Sequence, residues 1–309
     1  MAHAVVSRRE LLTALGGAGA VSRVRTGQSS AVADVPPVES VHVRVYPGPV
    51  PHRVRLRNGV VVGEHWTPAH RDALAAVADA FEQIREYARE RSRLEHLEVR
   101  VDRGEVVRLP PSAASGPSDA VVPSLETMLS GFQDRLRKRD ALTGSAVHLL
   151  LPWSPLNYRV GYGGTLSPNA RVGDDADGST GDALTVANVG ATERWDSRAI
   201  TRNMAIHEVL HTFLSGDVAA SVGGSRCDHD LGTAVETVGG TMRVSPIATA
   251  YAGRDEIDAG TRFPGTGCVD HESFHRHDGL EGVENWTYTT ELSEATLEGV
   301  TRYLERRVV

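Results

Sequence analysis

The chain has 309 residues, 40% of them hydrophobic, which is enough apolar material for one large domain or two small ones. Its formal net charge is -7, and all but one of its 33 basic residues are arginine, the exception being Lys138. No basic patch stands out, which argues against a nucleic-acid partner, and the acidic balance suits a surface that stays hydrated at high salt.

Residues 1–33 read as an address. Ser7-Arg8-Arg9-Glu10-Leu11-Leu12 resembles the twin-arginine export motif; a Gly/Ala-rich, weakly apolar run follows, with small residues at Ala31 and Ala33. The run is too short to span a membrane. The segment carries four arginines against Glu10, so its removal takes the net charge to about -10. The expectation is an exported chain, secreted or at the cell surface, with residues 34–309 as a single domain. Residues 34–140 form its first part and residues 141–309 its site-bearing part. In an oxidising compartment Cys227 and Cys268, the two cysteines, are expected to form a disulfide.

Residues 41–46 and 53–62 alternate like strands, separated by the turn signal Pro47-Gly48-Pro49. A helix opens at Thr67-Pro68, with Leu74, Val77, Phe81 and Ile84 as its apolar stripe. Residues 97–101 and 105–109 read as short strands and residues 110–123 as a loop. A second helix follows Ser124, with Leu125, Met128, Leu129, Phe132 and Leu136 on one side. Residues 146–151 suit a buried central strand. Residues 156–182 are Gly- and Asp-rich, with a strand-like piece at 158–162, and residues 183–189 form another strand. A helix is expected from a cap at Asp196 to about Ser215, and a last one over residues 293–305, with Leu297, Val300 and Leu304 buried. The alternation of helix and strand predicts an α+β fold, a mixed sheet packed against helices.

Chemistry concentrates in the helix after Asp196, at His207-Glu208-Val209-Leu210-His211. Residues i and i+4 lie on one helical face, so both imidazoles can turn a nitrogen to one metal ion, with the Glu208 carboxylate beside it. A catalytic zinc takes three protein ligands and leaves one position open, so a third donor is needed.

With these residues the chain resembles the zincin peptidases, and within them the metzincins, over roughly residues 140–305. The resemblance implies a mixed sheet with an active-site helix and a C-terminal helix, a bound Zn²⁺ and a protein or peptide substrate. It offers two third ligands. The contiguous form of the motif ends on Asp217, although Leu214 stands where the family has Gly. An inserted form, spanning residues 218–226, ends on His229 within Cys227-Asp228-His229-Asp230. Imidazole is the commoner third donor in the clan, which favours His229. The family's methionine turn corresponds to Ser245-Pro246-Ile247, where Ile247 stands for Met, with Met242 nearby; Tyr251 is a candidate oxyanion donor. These imply an exported zinc-dependent endopeptidase in which Glu208 is the general base. The alternative is a secreted binding protein that keeps the scaffold without turnover.

Other clusters carry less. Asp270, His271, Glu272, His275, His277 and Asp278 read as a solvated polar loop. Asp174, Asp175, Asp177 and Asp182 miss the spacing of a calcium loop. Glu236 would be the ligand of a thermolysin-like enzyme, whose motif is not evident around it. Asn285-Trp286-Thr287 is a glycosylation sequon.

Overall fold

The structure is a computed structural model. It describes residues 40–59, 64–109, 125–144, 146–154, 163–165, 181–195, 197–224, 226–237, 239–248 and 285–307. Contacts divide the chain into residues 1–36 and 37–309, and every described residue belongs to the second unit. The export segment, the 158–162 strand, Asp174 to Asp177, Tyr251, Cys268 and the 270–278 cluster lie outside the described residues.

The chain begins with β1 (Ser40–Pro47), α1 (His52–Arg57), α2 (Pro68–Arg91), β2 (Glu98–Arg103), α3 (Leu125–Arg137) and β3 (Ala146–Leu151). It continues with β4 (Gly163–Thr165), β5 (Ala183–Ala187), α4 (Val189–Trp195), α5 (Arg198–Leu210) and α6 (Gly216–Gly223). A 3-10 turn (Asp228–Leu231), β6 (Ala234–Thr237), β7 (Thr241–Val244), β8 (Asn285–Tyr288) and α7 (Glu294–Arg307) complete it. The fold is α+β. Its main sheet runs β2-β1-β3-β5-β4, with the first four strands parallel and β4 antiparallel at the edge.

The two faces of this sheet explain the two cores. On β1, Val41, Val43 and Val45 face α2, α5 and α7, while Tyr46 faces the other way. Helix α2 opens as expected, its Thr67 side chain accepting from the His70 amide with Pro68 in the first turn. Its buried stripe is rich in alanine (Ala69, Ala73, Ala76 and Ala80), with Phe81 meeting Phe213 edge to face at 5.5 Å between ring centroids. On the opposite face α3 lays Met128, Leu129, Phe132 and Leu136 against Leu150, Leu184 and Val186. Strand β3 is buried along its whole length, as a central parallel strand should be. Its one polar residue, His148, lies with Nε2 3.2 Å from Asp182 Oδ1 and Nδ1 3.1 Å from the Tyr46 hydroxyl. Asp182 is a structural carboxylate, since it also accepts from the Gly144 and Ala146 amides.

Several expectations are corrected. Residues 52–57 form a helix, with the Val54 and Arg55 amides bonded to the Pro51 carbonyl. None of its residues is buried, and Leu56 is exposed, so the alternating pattern had no sheet face to serve. Residues 105–109 form no strand, although the Val107 amide reaches the Pro47 carbonyl. Strand β5 ends at Ala187, and Val189 opens a separate helix before Ser197, not Asp196, caps α5. Helix α5 stops at His211, and Ser215 then caps α6, so much of the expected insertion is helical. A second, three-stranded sheet, β6-β7-β8, was not expected at all.

Candidate functional site

The C-terminal turn of α5 is pressed against β5 and β4. Thr185 and Thr165 donate their hydroxyls to the Glu208 carbonyl at 3.0 and 3.2 Å, which pins this turn beside the sheet edge. Gly163 of β4 permits the approach: a Cβ there would stand 2.5 Å from Glu208 Oε1 and 2.2 Å from the Val186 carbonyl. His207 and Glu208 are buried, and His211, at the helix end, is partly so.

The structure brings His229 to this pair and leaves Asp217 out. His229 is buried on the 3-10 turn, and one nitrogen from each of His207, His211 and His229 falls within 4.8 Å of the others. Asp217 is 74% exposed and paired with Arg226 at 2.8 Å. Glu236 is exposed on β6 and stands in no such group among the described residues. Ile247 is fully buried in the main core, and Met242 lies in a small cluster on β7 with Val244 and Ala248.

Each imidazole of the motif has its other nitrogen occupied. His207 Nδ1 donates to the Pro246 carbonyl at 2.8 Å. His211 Nδ1 donates to Asp228 Oδ2 at 2.7 Å, and His229 Nδ1 lies 3.3 Å from Asp228 Oδ1. Asp228 and the Pro246 carbonyl are the parts that sequence reasoning missed. Asp228 was visible as the neighbour of His229; a backbone carbonyl has no signature in sequence.

The electrostatics follow from burial and these partners. Burial, with His211 and His229 as neighbours, pushes His207 well below the ordinary imidazole value, and burial with His211 pushes His229 down to about 3. Burial opposes a charge on His211 too, but the Asp228 carboxylate outweighs it and raises that ring. Asp228 itself is pushed up by burial, yet the imidazoles, His211 foremost, hold it well below the usual carboxylate range. Burial pushes the Glu208 carboxyl up to about 7, and its Oε2 is buried with no hydrogen-bond partner among the described residues.

The donor set fits a metal ion. A carbonyl can only accept, so His207 carries its proton on Nδ1 and presents a lone pair at Nε2, 2.9 Å from His211 Nε2. One proton on His211 satisfies that pair of nitrogens. The third imidazole, His229, whose Nδ1 also faces Asp228, completes the cluster. A divalent cation satisfies all three, and three neutral imidazoles oriented by outer hydrogen bonds are a zinc-type ligand set.

No family model matches the chain, and no curated protein matches it. Eighteen chains of solved structures do. One belongs to a structure described as "Structure of a chaperone-substrate complex", at 12% identity and a TM-score of 0.31. The match covers 85% of this chain and 35% of that one. The chain thus spans about a third of that protein's length, and a likeness of this size carries no argument about fold or function.

Proposed function

We propose that the chain is a zinc-dependent endopeptidase in which His207, His211 and His229 hold the metal and Glu208 is the general base. The observation that carries this reading is the convergence of three imidazole nitrogens beside the buried Glu208 carboxylate, whose Oε2 has no hydrogen-bond partner among the described residues. When bound, zinc supplies a Lewis acid that polarises the scissile carbonyl and lowers the pKa of a coordinated water.

The chain's own residues do the rest. The Pro246 carbonyl and the Asp228 carboxylate hold His207 and His211 with Nδ1 protonated, which turns each Nε2 toward the cluster. Glu208, whose carboxyl burial raises to about 7, acts in its carboxylate form: it takes a proton from the attacking water and passes it to the leaving amine. Strand β4 forms the edge of the main sheet beside Glu208, so an extended peptide lying along it gains main-chain hydrogen bonds and presents its carbonyl near that carboxylate.

Action outside the cytoplasm belongs to the same proposal and rests on the Ser7-to-Leu12 motif; a disulfide between Cys227 and Cys268 would fit that setting. A binding protein without turnover has no use for an unsatisfied carboxylate in this position, which weighs against the alternative. The test is hydrolysis of an unstructured protein substrate by the zinc-loaded chain, beside the chelated chain and Glu208→Gln. Equal turnover in all three preparations would falsify the proposal.

A further inference from the structure

The chain has a cavity with a chemistry of its own, remote from the histidines. Strand β1 leads by way of α2 to β2 on one side of the sheet, whereas β3 leads by way of β4 to β5 on the other. Neighbouring parallel strands whose connections diverge in this way open a crevice at their carboxyl ends, and such crevices are where open sheets of this kind bind ligands. A cavity of about 560 Å³ lies there, lined from the segments that follow β1, β3 and β5. That volume is in the range of small-molecule sites. The α4 residues of its wall precede α5, while His207 and His211 stand at the far end of α5. A helix of 13 residues spans roughly 20 Å.

The lining has two characters. Trp153 and Val54 give an apolar wall, and the Trp153 ring is held by a tilted stack on His70 at 5.7 Å between centroids. His70 is itself fixed, with Nε2 donating to the Leu151 carbonyl at 3.1 Å and Nδ1 accepting from the Thr67 hydroxyl at 2.7 Å. The charged part is Arg53, Arg57 and Arg194, all exposed at the cavity and none ion-paired among the described residues. Arg53 and Arg57 are one turn apart on α1 and share a face. The carboxylate at the cavity, Glu193, is committed elsewhere: it accepts from Arg198 at 2.6 and 2.8 Å and from Thr201 at 2.8 Å. Three unneutralised guanidiniums beside a fixed indole, in a chain of net charge -7, form a local positive field with a flat apolar side.

We propose that this crevice is a binding site for a small molecule that carries a flat apolar ring and an anionic group, phosphate or carboxylate. The ring lies against Trp153, and the anion is clamped by Arg53, Arg57 and Arg194. The site is independent of metal binding, so the proposal stands or falls apart from the peptidase reading.

The experiment is isothermal titration of the full chain with four probes: AMP, indole-3-acetate, adenosine and inorganic phosphate. AMP or indole-3-acetate binds saturably and more tightly than adenosine or phosphate, and whichever of the two is tighter identifies the anion as phosphate or carboxylate. The Arg53→Gln/Arg57→Gln variant loses at least tenfold in affinity for that probe; both side chains are exposed and unpaired, so the fold survives the change. Arg194→Gln repeats the test from a different helix, and Glu208→Gln binds like wild type. Absence of saturable binding by both ring-bearing anions, affinity no better than phosphate alone, or affinity unchanged in both arginine variants overturns the proposal.

Discussion

Asp228→Asn is the sharpest test of how the histidines are held. Its two carboxylate oxygens face two different rings, Oδ2 toward His211 Nδ1 at 2.7 Å and Oδ1 toward His229 Nδ1 at 3.3 Å. Asparagine has the same shape but a single acceptor, because its second atom is an amide that donates. Whichever ring faces the amide must surrender its Nδ1 proton, and a neutral imidazole then carries that proton on Nε2, where it blocks the lone pair meant for the metal. The change also removes the negative charge that raises His211. Loss of such an outer partner costs about 10–100-fold in metal affinity. That corresponds to roughly 1.4–2.8 kcal/mol. The assay is competition of the purified protein with a chelator of known zinc affinity at neutral pH. Asp230→Asn, an exposed neighbour on the same turn, serves as the control and stays at the wild-type value. Zinc affinity within about twofold of wild type in Asp228→Asn would refute the orienting role, since both His211 and His229 face that one carboxylate.

Four further outcomes follow from the same geometry. Glu208→Gln retains zinc, measured by metal analysis, while hydrolysis falls by roughly 10²–10⁴-fold, the usual worth of a general base. His229→Ala loses zinc and Asp217→Ala keeps it, because Asp217 is paired with Arg226 at the surface; the reverse pattern would move the third ligand to Asp217. Gly163→Ala forces β4 away from the Val186 carbonyl and Glu208, so hydrolysis drops at least tenfold while zinc stays bound; undiminished turnover would remove β4 from the site. His70 is pushed by burial down to about 4, so above pH 6.5 it is neutral in both folded and unfolded chains and contributes no pH dependence. Below 6.5 the unfolded chain takes up the proton first, and stability falls by about 3 kcal/mol as pH approaches 4. Urea titrations at pH 7 and pH 5 show a smaller pH loss for His70→Gln than for wild type, and equal losses would contradict the burial argument.

The parts of the site that sequence could reach were those set by local geometry. His207 and His211 share a face because α-helical periodicity puts them there, and Glu208 is fixed by adjacency. His229 lies far along the chain, and only the resemblance pointed to it; distinguishing it from Asp217 required the fold, in which α6 carries Asp217 outward. The buried strand at 146–151 and the long helix from Thr67 were legible because each is long and strongly patterned. The α1 segment misled because Arg and Val alternation over six residues looks like a strand whether or not a sheet exists to receive it. Strands β6, β7 and β8 escaped for the opposite reason: each has four residues, β6 is largely exposed, and β8 joins β7 from some 40 residues downstream.

That unanticipated small sheet gives the site its precision. His207 needs a fixed acceptor at Nδ1, and the acceptor is the Pro246 carbonyl, which sits in the turn just after β7. The turn is tied at several points. The Ser245 amide donates to the Thr233 carbonyl at 2.9 Å, the Thr233 amide returns to the Ser245 hydroxyl at 2.8 Å, and Asn203 of α5 donates to the Val244 carbonyl at 3.4 Å. Gly232, at the end of the 3-10 turn, lets His229 and Pro246 share one corner, because a Cβ there would stand 2.2 Å from the Ala248 amide nitrogen. Ile247, which follows Pro246 in the turn, is fully buried in the main core. What the turn requires of that position is buried apolar volume, and a branched aliphatic chain supplies it as a thioether would. The alignment of the three imidazoles is carried by the Pro246 carbonyl, the Asp228 carboxylate and the close approach at Gly232.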